Sequence, residues 1–532
     1  MTDIKILVSD DVIESGLEPL RAAGFVVEKK TGLKPDELVE ALRDCDGLVV
    51  RSETKVTAQL MDAATRLRVV GRAGVGVDNI EVAAATARGI VVMNAPDGNT
   101  MTTAEHTIAL LLALARRVPQ SNASLKAGRW ERKKFVGVEL RGKTLGIVGL
   151  GRIGRVVASR ARAFEMKVVA YDPFVVPEQS GDFELELASL EDVCSRADFL
   201  TVHTPLTPET RGIIGARELA QMKHNVSIIN CARGGLVDEP ALYAAIKEGR
   251  VAGAAFDVFE KEPPPAEHPL LSLDEVIVTP HLGASTKEAQ EGVAVTVAEQ
   301  MRDYFLTGAL NGAVNVPTLD ATELHALEPY LVLAERLGRF QAQLVDEAVR
   351  EIGIEYAGDV AEMDAAPVTR SFLAGLLRDV SARVNVVNAL LIAEERGIDV
   401  IDSYKHGATG EMIPAMRTRV VTTGGEHVVS GALFGTRGDG RITEIDGFRI
   451  EAIPSSNMLL TRSNDVPGVI GRLGTTFGKH GVNISQFHLG RRERGGEAMS
   501  VIEADHPVDD ATLAELRSFP EVISARRIQL DD

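Results

Sequence analysis

Short aliphatic runs alternate with amphipathic segments over the first hundred residues. Residues 4–8, 47–50, 69–70 and 90–92 are candidate buried strands, and 35–42 and 82–88 have the spacing of helices with one apolar face. This alternation is typical of a parallel, doubly wound sheet. A long apolar helix is expected to follow, up to about residue 117. Thr102 and Glu105 have capping-box spacing at its start.

A second alternating series begins at Lys143. Its six candidate strands are 144–148, 167–171, 199–202, 226–229, 253–256 and 276–278. We therefore expect a second parallel sheet with helices between its strands.

The pattern changes after residue 316. Up to about 453, candidate helices at 324–340 and 368–393 are mixed with strand-like pieces at 418–423 and 427–435, and we find no chemical motif. From 456 to 530 the order is strand, helix, strand, strand, helix, strand. The candidate strands are 458–461, 483–490, 498–504 and 522–528, and the helices are 468–480 and 511–518. This order predicts a split-βαβ, ferredoxin-like tail.

A glycine-rich turn lies between the first strand and the first helix of the second series. Gly149, Gly151 and Gly154 have the spacing that lets a backbone approach a pyrophosphate closely at a helix N-terminus. The next strand ends in Asp172, which is placed to accept hydrogen bonds from ribose hydroxyls. Its charge opposes a 2′-phosphate, so the pattern predicts NAD rather than NADP.

Three polar segments follow later strands of the same series, and they contain Arg233, Glu262 and His281. Ligands of open parallel sheets bind outside the carboxyl ends of the strands, so these residues can share one crevice. Arginine suits a carboxylate, histidine suits proton transfer from a hydroxyl group, and a carboxylate can orient the histidine. Each residue alone has an ordinary structural explanation. Their shared position favours oxidation of a 2-hydroxy acid.

Composition narrows the class of protein. The 532 residues are 45% hydrophobic and carry a net charge of −18, which disfavours a nucleic-acid or anionic-membrane partner. Three scattered cysteines predict neither a disulfide framework nor a metal site, and they suit a reducing compartment. The start has no signal-peptide pattern, and the longest aliphatic run, 108–115, is short for a membrane span. We expect a cytoplasmic protein.

The motifs VGLGRIG, NCARGG, DVFEKEPP and PHLGAST resemble the signatures of the D-isomer-specific 2-hydroxyacid dehydrogenases. VRSETKVT at 50–57, GRAGVGVDN at 71–79 and NAPDGNTMTTAEH at 94–106 extend the resemblance, as does the tail. Within that family the chain is similar to the long branch that acts on D-3-phosphoglycerate.

The resemblance implies an α/β fold in which a Rossmann domain is inserted into a flavodoxin-like substrate domain. An α+β intervening domain and a C-terminal ferredoxin-like ACT domain follow. The implied boundaries are 1–97 and 280–316 for the substrate domain, 98–279 for the NAD-binding domain, 317–453 for the intervening domain and 454–532 for the ACT domain.

The resemblance also assigns residues. It makes Arg233, Glu262 and His281 catalytic. The implied cofactor-binding residues are Val75, Gly149, Gly151, Arg152, Ile153, Gly154, Asp172, Thr204, Cys231, Ala232, Arg233, Asp257, His281, Leu282, Gly283 and Ala284. On the substrate side it implies Arg51, Ser52, Gly76 and Asn99, and as effector-binding residues Asp465, Gly468 and Asn483.

The implied activity is NAD-dependent oxidation of D-3-phosphoglycerate to 3-phosphohydroxypyruvate, the first step of phosphorylated serine biosynthesis. L-serine is then the expected effector, and a homotetramer the expected assembly. Residues 126–143 hold seven basic and two acidic side chains, which suits either a solvated face or a phosphorylated substrate. The alternatives are another D-2-hydroxyacid dehydrogenase, acting for example on 2-hydroxyglutarate, and a non-catalytic NAD-sensing interaction protein.

Overall fold

The computed structural model describes residues 4–175, 185–319, 321–381, 383–407, 415–435 and 438–530. These residues contain four β-sheets, of five, seven, six and four strands in chain order. The first two sheets are parallel, the third is mixed and the fourth is antiparallel.

The first sheet has the strand order β2-β1-β3-β4-β5, which is the flavodoxin-like order. Its strands are β1 (Lys5–Val8), β2 (Val26–Lys29), β3 (Gly47–Val50), β4 (Val69–Arg72) and β5 (Val91–Asn94). Helices α1 (Glu18–Ala22), α2 (Pro35–Leu42), α3 (Ala58–Ala63) and α4 (Val82–Ala87) connect them. The sequence pattern missed β2 because this edge strand is half exposed and lacks a buried aliphatic run.

The second sheet has the order β8-β7-β6-β9-β10-β11-β12, a Rossmann order extended by a seventh strand. Its strands are β6 (Thr144–Val148), β7 (Lys167–Tyr171), β8 (Glu186–Leu187), β9 (Phe199–Val202), β10 (Val226–Asn230), β11 (Val251–Phe256) and β12 (Val276–Val278). Six of the seven were predicted. The missing one, β8, is a two-residue edge strand.

Helices cover both faces of this sheet. They are α5 (Thr100–Arg116), α6 (Val118–Lys126), α7 (Arg152–Ala163), α8 (Leu190–Arg196), α9 (Ala216–Gln221) and α10 (Glu239–Lys247). The predicted capping box of Thr102 and Glu105 is wrong. Helix α5 begins two residues earlier with Asn99 as N-cap, so Thr102 lies inside its first turn, and its hydroxyl contacts that of Thr286 at 3.2 Å.

Helix α11 (Lys287–Thr307) follows the second sheet but packs on the first. Val293, Val297 and Met301 are buried in the core of the first sheet. Gly71 in β4 allows this close approach, because a Cβ atom there would lie 2.5 Å from Val297 and 2.6 Å from the sulfur of Met301. The chain therefore leaves the first sheet, builds the second and returns.

The third sheet has the order β14-β13-β15-β16-β17-β18. Its strands are β13 (Val349–Ala357), β14 (Asp399–Lys405), β15 (Met416–Thr422), β16 (Glu426–Phe434), β17 (Asp439–Ile445) and β18 (Phe448–Ala452). The helices α12 (Ala321–Ala342), α13 (Ala366–Leu376) and α14 (Ala389–Glu395) accompany it. The single helix expected over 368–393 is wrong, because α13 ends at Leu376, a short 3₁₀ helix follows at Arg378–Val380, and the next α-helix begins only at Ala389.

The tail has the predicted order of elements. Its strands β19 (Asn457–Asn464), β20 (Ile484–Arg491), β21 (Glu497–Ala504) and β22 (Val522–Gln529) pair in the order β20-β21-β19-β22, and α15 (Val469–Lys479) and α16 (Asp510–Arg517) pack on the sheet. Met458 and Ile528 of this sheet share a core with Ile450 of β18. The predicted fold class is confirmed, while the residue positions of the domain boundaries stay predictions. Among the described residues, no helix combines the length and apolar character that crossing a membrane requires.

Candidate active site

His281 and Glu262 form a hydrogen-bonded pair at the carboxyl ends of β11 and β12. The Nδ1 atom of His281 lies 2.7 Å from Oε2 of Glu262, and Oε1 of Glu262 accepts the N–H of Phe259 at 3.0 Å. Burial alone would raise the pKa of Glu262, but the bonds from His281 and Phe259 hold that pKa below its ordinary value. Glu262 is therefore an ionised partner that fixes the orientation of the imidazole.

The backbone at His281 is held by the buried carboxylate of Asp257. Its two oxygens accept the N–H of Leu282 at 2.7 Å and the N–H of Gly283 at 2.8 Å. The Thr279 hydroxyl donates to the same carboxylate at 2.5 Å. These bonds stabilise the left-handed conformation of His281, whose φ is 55°.

His106, on α5, completes this network. Its Nε2 atom lies 3.2 Å from both the Asp257 carboxylate and the Thr279 hydroxyl. Burial would raise the pKa of Asp257, but the bonds from His106, Thr279 and Leu282 lower it below its ordinary value. The sequence marked Asp257 only as a cofactor residue. Its role in positioning the His281 segment follows from this geometry, and sequence reasoning missed His106.

Arg233 follows β10 and reaches across to the first sheet. Its Nε donates to Asp78 at 3.1 Å, and its Nη1 donates to the Ala232 carbonyl at 2.7 Å. Its Nη2 lies where a Cβ atom of Gly76 would otherwise be. Gly76 is thus needed for the guanidinium to occupy this place between the two sheets.

Two more arginines lie near Arg233. Burial lowers the pKa of Arg72 to about 10, and the charges of Arg233 and Arg51 also lower it. Nε of Arg72 is buried without a hydrogen-bond partner. Arg51 and Arg233 were predicted from the resemblance, whereas Arg72 was missed. Its position at the end of β4, opposite the other strand ends, is the signal that would have found it.

The segment that carries Arg51 is anchored by a buried aspartate. The carboxylate of Asp10 accepts the N–H groups of Arg51 at 2.6 Å, Glu53 at 3.2 Å and Thr54 at 3.1 Å. Ser52 lies exposed in the same segment. No sequence motif pointed to Asp10, because its partners are 41 to 44 residues away along the chain.

The glycine turn has the shape that a pyrophosphate requires. Gly149 has a φ of 97°, and a Cβ atom there would lie 2.7 Å from the backbone of His203. A Cβ at Gly154 would clash with the carbonyl of Gly149, whereas one at Gly151 would meet no atom within 4 Å. The turn is therefore packed on the protein side and open at Gly151, where a ligand can approach the helix N-terminus.

Other predicted cofactor residues border this turn. Asp172 accepts the N–H of Leu150 at 2.8 Å and that of Phe174 at 2.9 Å. The hydroxyl of Thr204 is buried without a partner, and Arg152 pairs with Asp97 of the first region at 2.6 Å. The open glycine and the unpartnered hydroxyl fit NAD.

Three more predicted residues, Val75, Asn99 and Cys231, differ in whether their polar atoms are free to bind a ligand. The carbonyl of Val75 accepts a hydrogen bond from Asn94. The side-chain carbonyl oxygen of Asn99 is buried without a partner and can receive a ligand. Burial raises the pKa of Cys231 to about 12, so its thiol stays protonated and inert. Within the part of the chain that the structure describes, no cluster of three or more His, Cys, Asp or Glu side chains could hold a metal ion.

Comparison with known proteins gives three matching family models along the chain. They are the NAD-binding domain of D-isomer specific 2-hydroxyacid dehydrogenases at 108–283, the D-3-phosphoglycerate dehydrogenase intervening domain at 326–446 and the ACT domain at 457–521. D-3-phosphoglycerate dehydrogenase of Methanocaldococcus jannaschii is 44% identical over 533 residues, covering 99% of this chain and 100% of the relative. The chain belongs to the D-3-phosphoglycerate dehydrogenase family.

Other matches support membership of this family. D-3-phosphoglycerate dehydrogenase of Bacillus subtilis is 42% identical, with 99% of both chains covered. The crystal structure of Aquifex aeolicus D-lactate dehydrogenase complexed with NAD and lactic acid covers 59% of this chain and all of its own, with a TM-score of 0.52 and 26% identity. The chain is an NAD-dependent oxidoreductase with an ACT domain, as the sequence predicted.

The predicted effector residues lie on two sides of the ACT domain's first helix. Asp465 accepts the N–H of Gly495 at 2.9 Å and pairs with Arg491 at 3.0 Å. Gly468 is the N-cap of α15 with a φ of 99°, and Asn483 donates to Asp505 at 2.7 Å. A ligand that uses Asp465 or Asn483 must therefore replace an existing partner, and the effector site stays a prediction.

Proposed function

We propose that the chain oxidises D-3-phosphoglycerate to 3-phosphohydroxypyruvate with NAD, the first step of phosphorylated serine biosynthesis. The observation that carries the proposal is the meeting of three arginines, Arg233, Arg72 and Arg51. Gly234, the next residue after Arg233, packs against the carbonyl of Phe259, whose N–H donates to Glu262. A substrate with both a carboxylate and a phosphate needs more cationic groups than a simple 2-hydroxy acid. A lone arginine would favour the simpler substrates.

The arginines bind and orient the substrate. Arg233 receives the carboxylate, because it follows β10, and the next two strands of the same sheet, β11 and β12, lead to Glu262 and His281. Arg72 and Arg51 receive the phosphate, and the unpartnered Nε of Arg72 is one donor for it. Since Arg72 is half buried, its N–H groups lose little hydration when the substrate binds.

Proton transfer takes place at Nε2 of His281. Glu262 hydrogen-bonds the Nδ1 atom, so the neutral tautomer carries its proton there and leaves Nε2 free to accept the substrate's hydroxyl proton. The ionised Glu262 then stabilises the imidazolium. Bound NAD supplies the acceptor for the substrate's hydride.

NAD would be held by the turn at 149–154, with its ribose near Asp172 and its nicotinamide end near Thr204 and the segment 281–284. Both oxygens of Asp172 already accept backbone N–H groups, so the carboxylate is fixed where it opposes a 2′-phosphate. Asp172→Ala should therefore narrow the difference in kcat/KM between NAD and NADP. Equal use of the two cofactors by the wild type would contradict this assignment.

A steady-state assay tests the substrate. NADH oxidation is measured in parallel with 3-phosphohydroxypyruvate, hydroxypyruvate and 2-oxoglutarate. We expect the highest kcat/KM with the phosphorylated compound, and Arg72→Gln should reduce that value far more than the value for hydroxypyruvate. A higher kcat/KM with 2-oxoglutarate would instead support the other 2-hydroxyacid dehydrogenases.

The proposal extends to a cytoplasmic homotetramer inhibited by L-serine, with the domain boundaries given from the sequence. Large apolar side chains near the basic segment support contacts between subunits, since Trp130 is 75% exposed and Val136 is 74% exposed. Ile470 and Ile523 of the ACT domain are also about half exposed. Light scattering of the full chain should give four subunits per particle.

A further inference from the structure

A cavity of about 470 Å³ lies between the first sheet and the third-sheet region, away from the residues described above. One wall comes from the segments that precede β4 and β5. The other comes from residues 383–387, the irregular segment between α13 and α14. The two walls are linked by a hydrogen bond from Asn385 to the Gly89 carbonyl at 2.9 Å.

The lining of this cavity is cationic in a chain whose net charge is −18. Arg66, Arg68, Arg88 and Arg383 line it, and among the described residues of its lining there is no aspartate or glutamate. A concave surface of one charge sign concentrates oppositely charged solutes. The charge of the cavity therefore differs from that of the molecule as a whole.

Two of the four arginines are already neutralised from outside the cavity. Arg66 pairs with Asp46 at 3.0 Å, and Arg88 pairs with Asp62 at 2.7 Å. Arg68 instead stacks on aromatic rings, with its guanidinium carbon 5.5 Å from the Tyr304 centroid. In the described ranges, neither Arg68 nor Arg383 has a carboxylate within ion-pair distance. The pKa of Asp62 is lowered by its hydrogen bond with Arg88 and also by the nearby charge of Arg383.

The rest of the lining is mostly apolar. Met61, Leu67 and Leu310 contribute on the side of the first sheet, and Val384 and Val386 contribute on the other side. Ligand sites commonly combine an apolar lining with a few charged groups in cavities of about 300–1,000 Å³. This combination suits a molecule with an anionic head and a small carbon body.

We propose that this cavity binds a small organic anion, with its phosphate or carboxylate group on Arg68 and Arg383. Guanidinium groups bind both kinds of anion through paired N–H donors. The ligand would contact both walls and so hold the third-sheet region against the first sheet. The proposal does not depend on the identity of the substrate.

The cavity is separate from the active site. It lies at the amino ends of β4 and β5, whereas Arg72 and the segment 74–76 lie at the carboxyl end of β4. Four residues of strand separate the two, which is about 13 Å at 3.3 Å per residue. A ligand in the cavity therefore leaves the substrate site free.

Isothermal titration calorimetry of the full-length protein with phenyl phosphate tests the proposal. We expect two classes of site per chain, one at the catalytic arginines and one in the cavity. The double variant Arg68→Gln/Arg383→Gln should keep only the first class, and Arg233→Gln should keep only the second. Turnover of the double variant at saturating substrate should stay within about twofold of the wild type, since neither arginine contacts the reacting groups.

Matched controls separate the cavity from general surface charge. Arg250→Gln removes a partly buried arginine that is paired with Glu248 in the second-sheet region and should keep both classes of site. Val386→Trp should block the cavity without changing its charge, and it provides an independent measurement should the double variant fail to fold. Benzoate identifies a carboxylate ligand, and phenol shows whether the anion is needed.

Three results would overturn the proposal. The first is a single class of phenyl phosphate site that disappears in Arg233→Gln. The second is a double variant that binds phenyl phosphate as the wild type does. The third is equal binding of phenol, which would show that the arginines contribute nothing.

Discussion

His281 has a backbone conformation that side-chain-bearing residues seldom adopt, with φ at 55°. Such a conformation persists only where neighbouring groups stabilise it, and here the buried Asp257 binds the next two N–H groups. The imidazole is in turn oriented by Glu262 at 2.7 Å. The position of the proposed proton acceptor is therefore fixed from both the backbone and the side chain.

Glu262→Gln tests the pairing with His281. The amide keeps a hydrogen bond but no longer stabilises the imidazolium. The acid limb of the kcat/KM profile for oxidation should therefore move to lower pH, and the reverse reaction should slow at neutral pH. An unchanged pH profile in Glu262→Gln would contradict the pairing.

His281→Ala tests the proton acceptor itself. This variant should reduce kcat by about 100-fold or more while NAD binding, measured by calorimetry, persists.

Gly76→Ala tests the placement of Arg233. The added Cβ atom would overlap Nη2 of Arg233 and must displace the guanidinium. Loss of one charge-assisted hydrogen bond, about 1.5–3 kcal/mol, should raise KM for phosphoglycerate by about 10- to 100-fold. Gly478→Ala is a suitable control, because a Cβ atom there meets nothing within 4 Å. Equal KM values in both variants would show that Arg233 does not bind the substrate.

At the scale of elements, the sequence predicted every strand of the tail and missed only the edge strands β2 and β8 of the two parallel sheets. In the third sheet it predicted β15 and β16 and missed β13, β14, β17 and β18. The central strands β3, β6, β9 and β10 are nearly continuous aliphatic runs because both faces are covered. The edge strand β14 is exposed along most of its length, so it carries no such signal. Glycine spacing and strand ends identified most of the candidate site. Arg72, Asp10 and His106 were missed because only folding brings them to it.

The segment between β12 and α11 shows how one buried group organises an element. Asp257→Asn should destabilise this segment, because the amide N–H₂ group of asparagine cannot accept the backbone N–H that one carboxylate oxygen now accepts. The expected loss in free energy of unfolding is about 1–3 kcal/mol. The pKa of Asp257 is lower in the folded protein than in the unfolded chain, where it is about 4. The ionised carboxylate therefore contributes its full stabilisation above about pH 4, and this stabilisation is lost as the pH falls through the pKa of the folded protein.

Urea unfolding at several pH values measures this effect. The difference in unfolding free energy between wild type and Asp257→Asn should be largest at neutral pH and should narrow below about pH 4. The kcat of the variant should also fall, because the backbone at His281 loses its anchor. A difference in stability that does not change with pH would contradict the ionised state of Asp257.

At the scale of the whole molecule, the ACT domain is linked to the substrate side through continuous packing. Its strands β19 and β22 share a core with β18, and the third-sheet region contacts the first sheet through Asn385 and Asn388. Such packing can couple a ligand at the ACT domain to turnover at the active site only if the assembly has two arrangements. The ligand must also bind one arrangement more tightly than the other. L-serine at the ACT domain would then change turnover by favouring one of them.

Asn483→Ala tests this regulation. We expect the wild type to lose activity when serine is titrated to millimolar concentrations, with a coupling of about 1–3 kcal/mol, or several-fold to a hundredfold. Asn483→Ala should lose this response because the side chain that offers both a donor and an acceptor to serine is gone. Asn483 also donates to Asp505 at 2.7 Å, so Asp505→Ala is the matched control for that contact and should remain inhibited. If both variants lose the response equally, Asn483 acts through the local fold. If serine produces neither inhibition nor binding heat in the wild type, the domain serves assembly alone.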